Sequence, residues 1–253
     1  MKFSDEQAKY FDQVTKLIED TYTKNGNKPV ILLTHSMGST MMLYLLNHKD
    51  QAWKDKYLRC QISLSGVWAG TVRAMKVFAV GDNLGSGVIS IKALKREQRT
   101  SPSLAWLMPN LDFWSSDEIL LKSDNLNITK ANFEDFYKGL NASDGLEMWK
   151  DTKNLIKDLT PPGIELFCLY SYDVATTEQL IYHKFPESNP VKKSGDGDGT
   201  VNIRSLKACE NWSGKQFQPV KTKAFRRLDH QGILKDPSVI QYVQDLVKDI
   251  LKH

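Results

Sequence analysis

Residues 32–39 read LLTHSMGS, and the first two of them end a short apolar run at residues 30–33. The run is of the kind expected for a strand buried on both faces of a parallel sheet. A helix is predicted from about Ser39, because apolar residues recur behind it at helical spacing. This sequence predicts a nucleophile elbow, because a buried strand leads into a tight turn that carries Ser36 and a helix follows the turn. In such a turn a strained backbone exposes the serine hydroxyl, and small neighbours avoid clashes.

The residues around Ser36 fit this pattern in part. The amino terminus of the helix adds positive potential where an oxyanion would form, and the Met37 amide is predicted to donate to it in an oxyanion hole. Gly38 stands two residues after the serine, but Thr34 stands two residues before it, where the pattern has Gly. The alternative is an ordinary turn between a strand and a helix.

Further strands are predicted at residues 62–64, 164–170 and 220–228, and helices lie between and around them. The first helix carries apolar residues from Tyr10 to Tyr22. The last begins at Pro237 after Asp236 and presents apolar residues on one side. Strands that alternate with helices indicate an α/β layered sheet. The apolar residues predicted for one side of the last helix are Val239, Ile240, Val243, Leu246, Val247, Ile250 and Leu251.

The stretch from 71 to 160 differs from the rest, with small helical pieces, polar turns and no strong strand. It is interpreted as a cap inserted into the sheet domain. The predicted organisation is therefore a first core part at 1–70 with the elbow, a cap at 71–160, and a second core part at 161–253.

Composition narrows the classes of protein further. Of 253 residues, 41% are hydrophobic and 25% are charged, which allows a packed core and excludes wholesale disorder. The net charge of +4 is scattered along the chain, so no nucleic-acid partner is predicted. No apolar run approaches the length of a membrane span, and the first residues lack the core of a signal peptide.

A serine hydroxyl is a weak nucleophile unless a histidine takes its proton and an acid orients that histidine, and here both are expected later in the chain. Residues 195–200 read GDGDGT, a sharp turn whose carboxylates, Asp196 and Asp198, suit the acid. The alternatives are a solvated turn or a cation loop. A calcium loop of the EF-hand type fails, because Val201 and Lys207 stand where Gly and Glu are needed. No metal site is predicted.

His230 lies in a loop just before the last helix, where the general base is expected. His183 precedes the candidate acid and is in the wrong order, whereas His48 and His253 end a helix and the chain. His35 is predicted to point away from the neighbouring hydroxyl and to pack or to act indirectly.

With these residues in place, the chain resembles the lecithin:cholesterol acyltransferase family, and within it the lysosomal phospholipase A2 (group XV) type. The likeness runs from residue 10 to the last helix. It is carried by HSMG at 35–38, QAWKDKY at 51–57, SL at 63–64, GDN at 81–83, PPG at 161–163, CLY at 168–170 and GDGDGTVN at 195–202.

The resemblance implies roles for individual residues. The catalytic residues fall on Ser36 as nucleophile, Asp198 as acid and His230 as base. The family disulfide falls on Cys168 and Cys209; the alternative is a pair of reduced, buried thiols. Cys60 is then left as a free, buried thiol. The chain has three N-glycosylation sequons, and the resemblance favours their use: Asn127, Asn141 and Asn211.

The resemblance also implies a fold and an activity. The expected fold is the carboxy-terminal part of an α/β-hydrolase sheet with a mostly helical cap. The expected activity is that of a serine-dependent phospholipase A and O-acyltransferase, which cleaves glycerophospholipid esters through an acyl-enzyme without a cofactor. A phospholipid membrane or lipoprotein surface is the expected partner, a lipid alcohol such as ceramide an expected acceptor, and the lysosome or the extracellular space the expected location.

Two departures from the family pattern bear on the expected function. Residues 63–70 read SLSGVWAG where relatives have SLGAPWGG, so that turn is expected to differ in shape. Relatives also carry a long segment before the first helix, with the signal peptide, lid, first strands and second oxyanion donor, and it has no counterpart in this sequence. The alternative function is therefore a truncated, catalytically inactive lipid-binding remnant. Another esterase or peptidase of the same fold is disfavoured by the matches in the cap.

Overall fold

The computed structural model describes residues 4–83, 90–156, 158–187 and 189–252, with side chains from residue 9 onward. In chain order its α-helices are α1 Ser4–Lys24, α2 Met37–Asn47, α3 Gln51–Tyr57, α4 Val72–Val80, α5 Ile91–Gln98, α6 Pro102–Trp106, α7 Glu134–Gly139, α8 Ser143–Thr152, α9 Ile203–Leu206 and α10 Pro237–Ile250. The strands are β1 Val30–His35, β2 Leu58–Leu64, β3 Leu121–Lys122, β4 Leu166–Tyr172, β5 Thr176–Ile181, β6 Val191–Gly195 and β7 Val220–Arg226.

The main sheet has four strands in the order β1-β2-β4-β7, and every pair in it is parallel. All four correspond to predicted strands, so the α/β class read from the sequence is confirmed. Because parallel strands end at the same edge, the turn after β1 and the segments after β4 and β7 meet at the carboxyl edge of the sheet.

Helices cover both faces of this sheet. On one face, Phe11 and Ile18 of α1 pack with Leu46 of α2 in one apolar cluster. On the other face, α10 packs against β2, where Cys60 and Ile62 are fully buried. The sheet is thus the middle of three layers, as expected for a doubly covered parallel sheet.

One expectation about β1 is wrong. The apolar run predicts burial on both faces, but Leu33 is 59% exposed and no residue of β1 is fully buried. The physical reason is that β1 lies at the end of the sheet and pairs with β2 along one edge alone among the described residues. A strand at the end of a sheet has neighbours on fewer sides than a central strand.

The last helix confirms its predicted start and most of its predicted apolar side, with two residues of that side exposed. The predicted residues that pack against the sheet are Val239, Val243, Leu246, Val247 and Ile250. The Asp236 carboxylate caps α10 by accepting from the amides of Ser238 and Val239, and Pro237 follows in the first turn. Ile240 and Leu251, which were expected on the apolar side, are 42% and 70% exposed. None of the described helices is long and apolar enough to cross a bilayer.

A second, small sheet was not predicted. It contains β3, β5 and β6, with β5 and β6 antiparallel and β3 parallel to β5. The sequence signal for these strands was weak, because β6 reads VKKSG, is mostly exposed and has no alternation of apolar and polar residues. Since β3 lies within residues 71–160 and its partner lies beyond them, the division into core and cap stays a prediction.

The largest apolar cluster among the described residues is formed mainly by residues 71–160 and extends to the main sheet. It includes the aromatic side chains of Trp68, Phe78, Tyr137 and Trp149. Within it, a disulfide between Cys168 of β4 and Cys209 ties the sheet to the short helix Ala208–Trp212.

Candidate active site

Ser36 occupies a strained turn between β1 and α2. Its backbone has φ 56° and ψ −129°, in a region that residues with a side chain seldom adopt, and its amide donates to the Leu64 carbonyl of β2 at 3.0 Å. The predicted arrangement of strand, turn and helix is therefore present. Met37 is the first residue of α2, so its amide belongs to the first turn of the helix, where amide groups lack partners within the helix.

Thr34, the departure from the usual small residue, joins a polar chain beneath the elbow. Its hydroxyl lies 2.9 Å from Ser39 Oγ, which lies 2.7 Å from Ser63 Oγ, and it accepts a hydrogen bond from Gln61 Nε2 at 3.0 Å. Ser39 and Ser63 are fully buried. The threonine thus links β1, β2 and α2 below the serine.

Gly38 lies in the first turn of α2. Outside its two chain neighbours and the backbone of its own helix, a Cβ built at this position would meet no described atom within 4 Å. Contacts with other parts of the chain therefore do not require a small residue here, and the expectation for the elbow itself stays a prediction.

The structure brings the three predicted catalytic side chains together. His230 Nε2 lies 2.8 Å from Ser36 Oγ, and His230 Nδ1 lies 2.7 Å from Asp198 Oδ2. The serine and the histidine are 194 residues apart in the chain, and the acid and the histidine are 32 apart. In this arrangement His230 can accept the serine proton while Asp198 holds the other ring nitrogen.

Asp198 is fixed by its own turn. The carboxylate is fully buried, and Oδ1 accepts from the amides of Thr200 at 3.0 Å and Val201 at 2.7 Å. Asp196, the other carboxylate of the turn, instead accepts from the Asp173 amide at 2.6 Å. Gly197 between them allows close approach, because a Cβ there would lie 2.2 Å from the Val201 carbonyl oxygen.

His230 lies in a compact loop between β7 and α10. The Asp229 carboxylate accepts from the amides of Gln231 and Gly232, and the fully buried Ile233 anchors the far side of the loop. The side chain of His230 is 11% exposed.

His35, the last residue of β1, also contacts this loop. Its Nε2 lies 2.9 Å from the backbone carbonyl oxygen of His230, and the two imidazole rings are 4.8 Å apart. Burial lowers the pKa of His35, and the neighbouring His230 lowers it further, while its hydrogen bond to the His230 backbone and the Asp198 charge act in the opposite direction. The contact could not be read from the sequence.

A cavity of about 580 Å³ opens onto Ser36 and His230. Its apolar lining comes from α4 and from the chain around α6, and the rest of its lining is polar. Arg73 is one of the polar lining residues and donates to Thr200 Oγ1 at 2.9 Å and to Asp82 at 3.1 Å. The apolar lining residues are Ala74, Val77, Leu104 and Leu107.

The remaining predicted sites are placed as follows. Cys60 is a free, fully buried thiol whose pKa burial raises to about 12. Among the described residues, no group of three or more His, Cys, Asp or Glu side chains could hold a metal ion. The three sequon asparagines are exposed: Asn127, Asn141 and Asn211.

A serine elbow at the carboxyl end of a parallel strand, followed later in the chain by an acid and a histidine, characterises the α/β-hydrolase fold. The structure of a chain of the Tle4–Tli4 complex supports this assignment, with a TM-score of 0.65 over 93% of this chain and 63% of that one. At 13% sequence identity the likeness concerns the fold alone.

Sequence comparisons give closer relatives. The model of the family described as lecithin:cholesterol acyltransferase matches residues 2–237. The chain is 36% identical over 239 residues to a Bos taurus protein named lysosomal phospholipase A and acyltransferase, covering 94% of this chain and 58% of that protein. It is 38% identical over 231 residues to the phosphatidylcholine-sterol acyltransferase of Gallus gallus, covering 90% of this chain and 56% of that protein. The chain thus spans somewhat more than half the length of these relatives.

Proposed function

Because the chain belongs to the lecithin:cholesterol acyltransferase family, we propose that it is a serine-dependent phospholipase A and O-acyltransferase acting on the acyl esters of glycerophospholipids. The observation that carries the proposal is the continuous hydrogen-bonded chain from Ser36 Oγ through the His230 ring to the Asp198 carboxylate. The names of the relatives support the reaction class and the type of substrate.

The first half of the reaction forms an acyl-enzyme. His230 Nε2 takes the proton of Ser36 as Oγ attacks the ester carbonyl, and Asp198 stabilises the imidazolium that results. The Met37 amide at the amino terminus of α2 donates to the oxyanion. When the intermediate collapses, the bond to the glycerol oxygen breaks, His230 returns the proton to that oxygen, and a lysophospholipid leaves.

The second half transfers the acyl group. Water or the hydroxyl of a lipid alcohol such as ceramide gives its proton to His230 and attacks the acyl carbonyl. The acyl–Ser36 bond breaks, and His230 returns the proton to Oγ. Water yields a free fatty acid, whereas a lipid alcohol yields a new ester. The chemistry requires neither a metal nor an organic cofactor.

The cavity above Ser36 suits this substrate. Its apolar lining, which includes Val77 and Leu104, can bury part of an acyl chain, and the Arg73 guanidinium in the same lining can attract a phosphate headgroup. The proposed partner is a phospholipid membrane or a lipoprotein surface. The proposed location is the lysosome or the extracellular space, where the disulfide would persist and the exposed sequons would carry glycans.

Reaction with a fluorophosphonate probe tests the proposal, because an activated serine attacks the phosphorus of such a probe, fluoride leaves and a phosphonate ester of the serine forms. We expect a single adduct on Ser36 by mass spectrometry and none in the Ser36→Ala variant. Release of fatty acid from phosphatidylcholine vesicles should follow the same pattern. Intact, folded protein that gives no adduct at Ser36 would refute the catalytic assignment.

A second candidate, a lipid-binding protein without catalysis, is favoured by the position of β1. The strand that carries the nucleophile ends the sheet, and Leu33 on it is 59% exposed. In this structure the Met37 amide is the one oxyanion donor that we assign. A site with one donor would stabilise the transition state less than a site with two, since one donor is worth about a hundredfold to a thousandfold in turnover. This candidate predicts binding to phosphatidylcholine vesicles without reaction with the probe.

A further inference from the structure

The side chain of His35 reaches across from β1 to the loop that carries His230. The His230 carbonyl can only accept a hydrogen bond, so at 2.9 Å the Nε2 atom of His35 must carry the proton and donate it. The two rings are inclined at 42° with centroids 4.8 Å apart, which adds a packing contact beside the hydrogen bond.

This bond fixes a part of His230 that the other contacts leave free. The ring of His230 is held at Nδ1 by Asp198 and at Nε2 by Ser36, but both contacts act on the side chain. The bond from His35 acts on the backbone of the same residue. Because His35 precedes Ser36 directly, it ties the loop of the base to the strand that carries the nucleophile.

We infer that His35 is a positioning residue for the general base, and that its Nε2–H holds the His230 backbone so that the imidazole meets Ser36 in line. The inference rests on the proposed function, since it concerns how the same site is held. A neutral His35 suits the role, because it donates the bond without placing a second charge beside the imidazolium that forms on His230.

The charged and titratable groups that act on His35 agree with a neutral ring. Burial and the charge of His230 lower its pKa, the bond to the His230 backbone and Asp198 raise it, and the net direction is downward. The lowered pKa favours the neutral form of His35. Protonation at low pH would leave Nε2–H in place, so the hydrogen bond itself does not depend on the charge.

Two variants separate the donor from the ring. His35→Gln places an amide N–H near the position of Nε2 and removes the ring, whereas His35→Phe keeps a ring and removes the donor. The rate constant for fluorophosphonate labelling of Ser36 is measured for each, together with the thermal unfolding midpoint. A second readout is the low-field NMR resonance of the His230 Nδ1 proton, which depends on the geometry of its bond to Asp198.

We expect His35→Phe to lower the labelling rate constant about tenfold, the equivalent of one hydrogen bond, and to broaden or remove the low-field resonance. His35→Gln should restore the rate to within about threefold of the wild type and keep the resonance. Equal losses in both variants, or no loss in His35→Phe, would overturn the inference. If the wild type is not labelled at all, the proposed function fails, and the resonance in the two variants still decides the role of His35.

Discussion

Two aspartates in one turn have different partners, and this difference makes Asp198 the proposed acid. Asp198 Oδ2 contacts His230 Nδ1, whereas Asp196 accepts from the Asp173 amide. The two residues share a loop, a charge and similar sequence surroundings. They therefore form a matched pair for mutation.

We predict that Asp198→Asn lowers the rate of Ser36 labelling and of ester cleavage by about ten thousandfold. The Asn oxygen can still accept from the Thr200 and Val201 amides, so the turn should persist. The amide nitrogen, however, cannot accept from His230 Nδ1–H and favours the tautomer that cannot take the serine proton. Kinetics with a fluorophosphonate and with a phospholipid measure the effect.

The matched control is Asp196→Asn, whose amide oxygen can keep the bond from the Asp173 amide. Its rate should stay within about threefold of the wild type, since one hydrogen bond to a neutral acceptor is worth about 1 kcal/mol. A larger loss in Asp196→Asn than in Asp198→Asn would reassign the acid.

Thr34 shows how a departure from a motif can be compensated locally. Its hydroxyl lies between Gln61 and the buried Ser39. We predict that Thr34→Val, which keeps the shape but removes the hydroxyl, lowers the free energy of unfolding by about 1–3 kcal/mol, because it leaves buried polar groups without a partner. Urea unfolding followed by circular dichroism measures this.

Thr23→Val is the control for that substitution. The Thr23 hydroxyl bonds to the Glu19 carbonyl on the exposed surface of α1, and threonine and valine have similar helix propensities. Its free energy of unfolding should change by less than about 0.5 kcal/mol. If the two variants lose the same free energy, the polar chain beneath the elbow contributes nothing specific.

At the scale of elements, Glu165 joins three strands at their amino ends. It directly precedes β4, and its carboxylate pairs with Arg59 of β2 at 2.7 Å and with Lys221 of β7 at 2.9 Å. Burial of the carboxylate raises its pKa, but the hydrogen bonds and charges of Lys221 and Arg59 outweigh burial, so the pKa of Glu165 is lowered. The negative charge is thus favoured by folding.

We predict that Glu165→Gln lowers the free energy of unfolding by about 1 kcal/mol at pH 7, a modest value because both cations are partly exposed. A lowered pKa in the folded state gives stability that is complete above the unfolded pKa of about 4.3 and is lost as the pH falls through the folded pKa. The stability curves of variant and wild type should therefore converge in acid. Urea unfolding across this range gives both curves.

Glu147→Gln provides the comparison, because Glu147 is 70% exposed and pairs with Lys150 along one face of α8. Its effect should remain within about 0.5 kcal/mol at every pH. A difference at Glu165 that persists unchanged in acid would mean that packing, rather than charge, is lost.

The elements show which sequence signals were sufficient. The apolar run at β4 predicted a strand because burial demands such runs, and Asp236 and Pro237 predicted the start of α10 because capping acts locally. The strand β6 was not predicted, because the Val191–Gly195 segment is exposed and owes its conformation to pairing with β5. The exposure of Leu33 was not predicted either, since an apolar residue in a strand does not reveal how many neighbours the strand has.

At the scale of the whole molecule, the sequence predicted the candidate residues and their order along the chain, but not the distances between their side chains. The elbow, the acidic turn and the loop before the last helix each carry a local pattern, and the order of serine, acid and histidine suits the fold. That Ser36, Asp198 and His230 lie within hydrogen-bonding distance depends on the pairing of strands in the main sheet and on the bridge that joins Asp198, beyond β6, to Val174 just after β4. The contact between His35 and the His230 carbonyl depends on the same packing and has no signal of its own.

The disulfide restricts the unfolded chain, because it closes a loop between residues 41 positions apart. We predict that the double variant Cys168→Ala with Cys209→Ala lowers the free energy of unfolding by about 4 kcal/mol through the regained entropy of the unfolded chain, beyond the loss of two buried sulfur atoms. Cys60→Ala is the matched control, because Cys60 is also fully buried but forms no cross-link, and it gives the cost of removing one sulfur. Urea unfolding of the three proteins under oxidising conditions separates the two contributions. A double variant that loses no more than twice the cost of Cys60→Ala would show that the cross-link adds no stability.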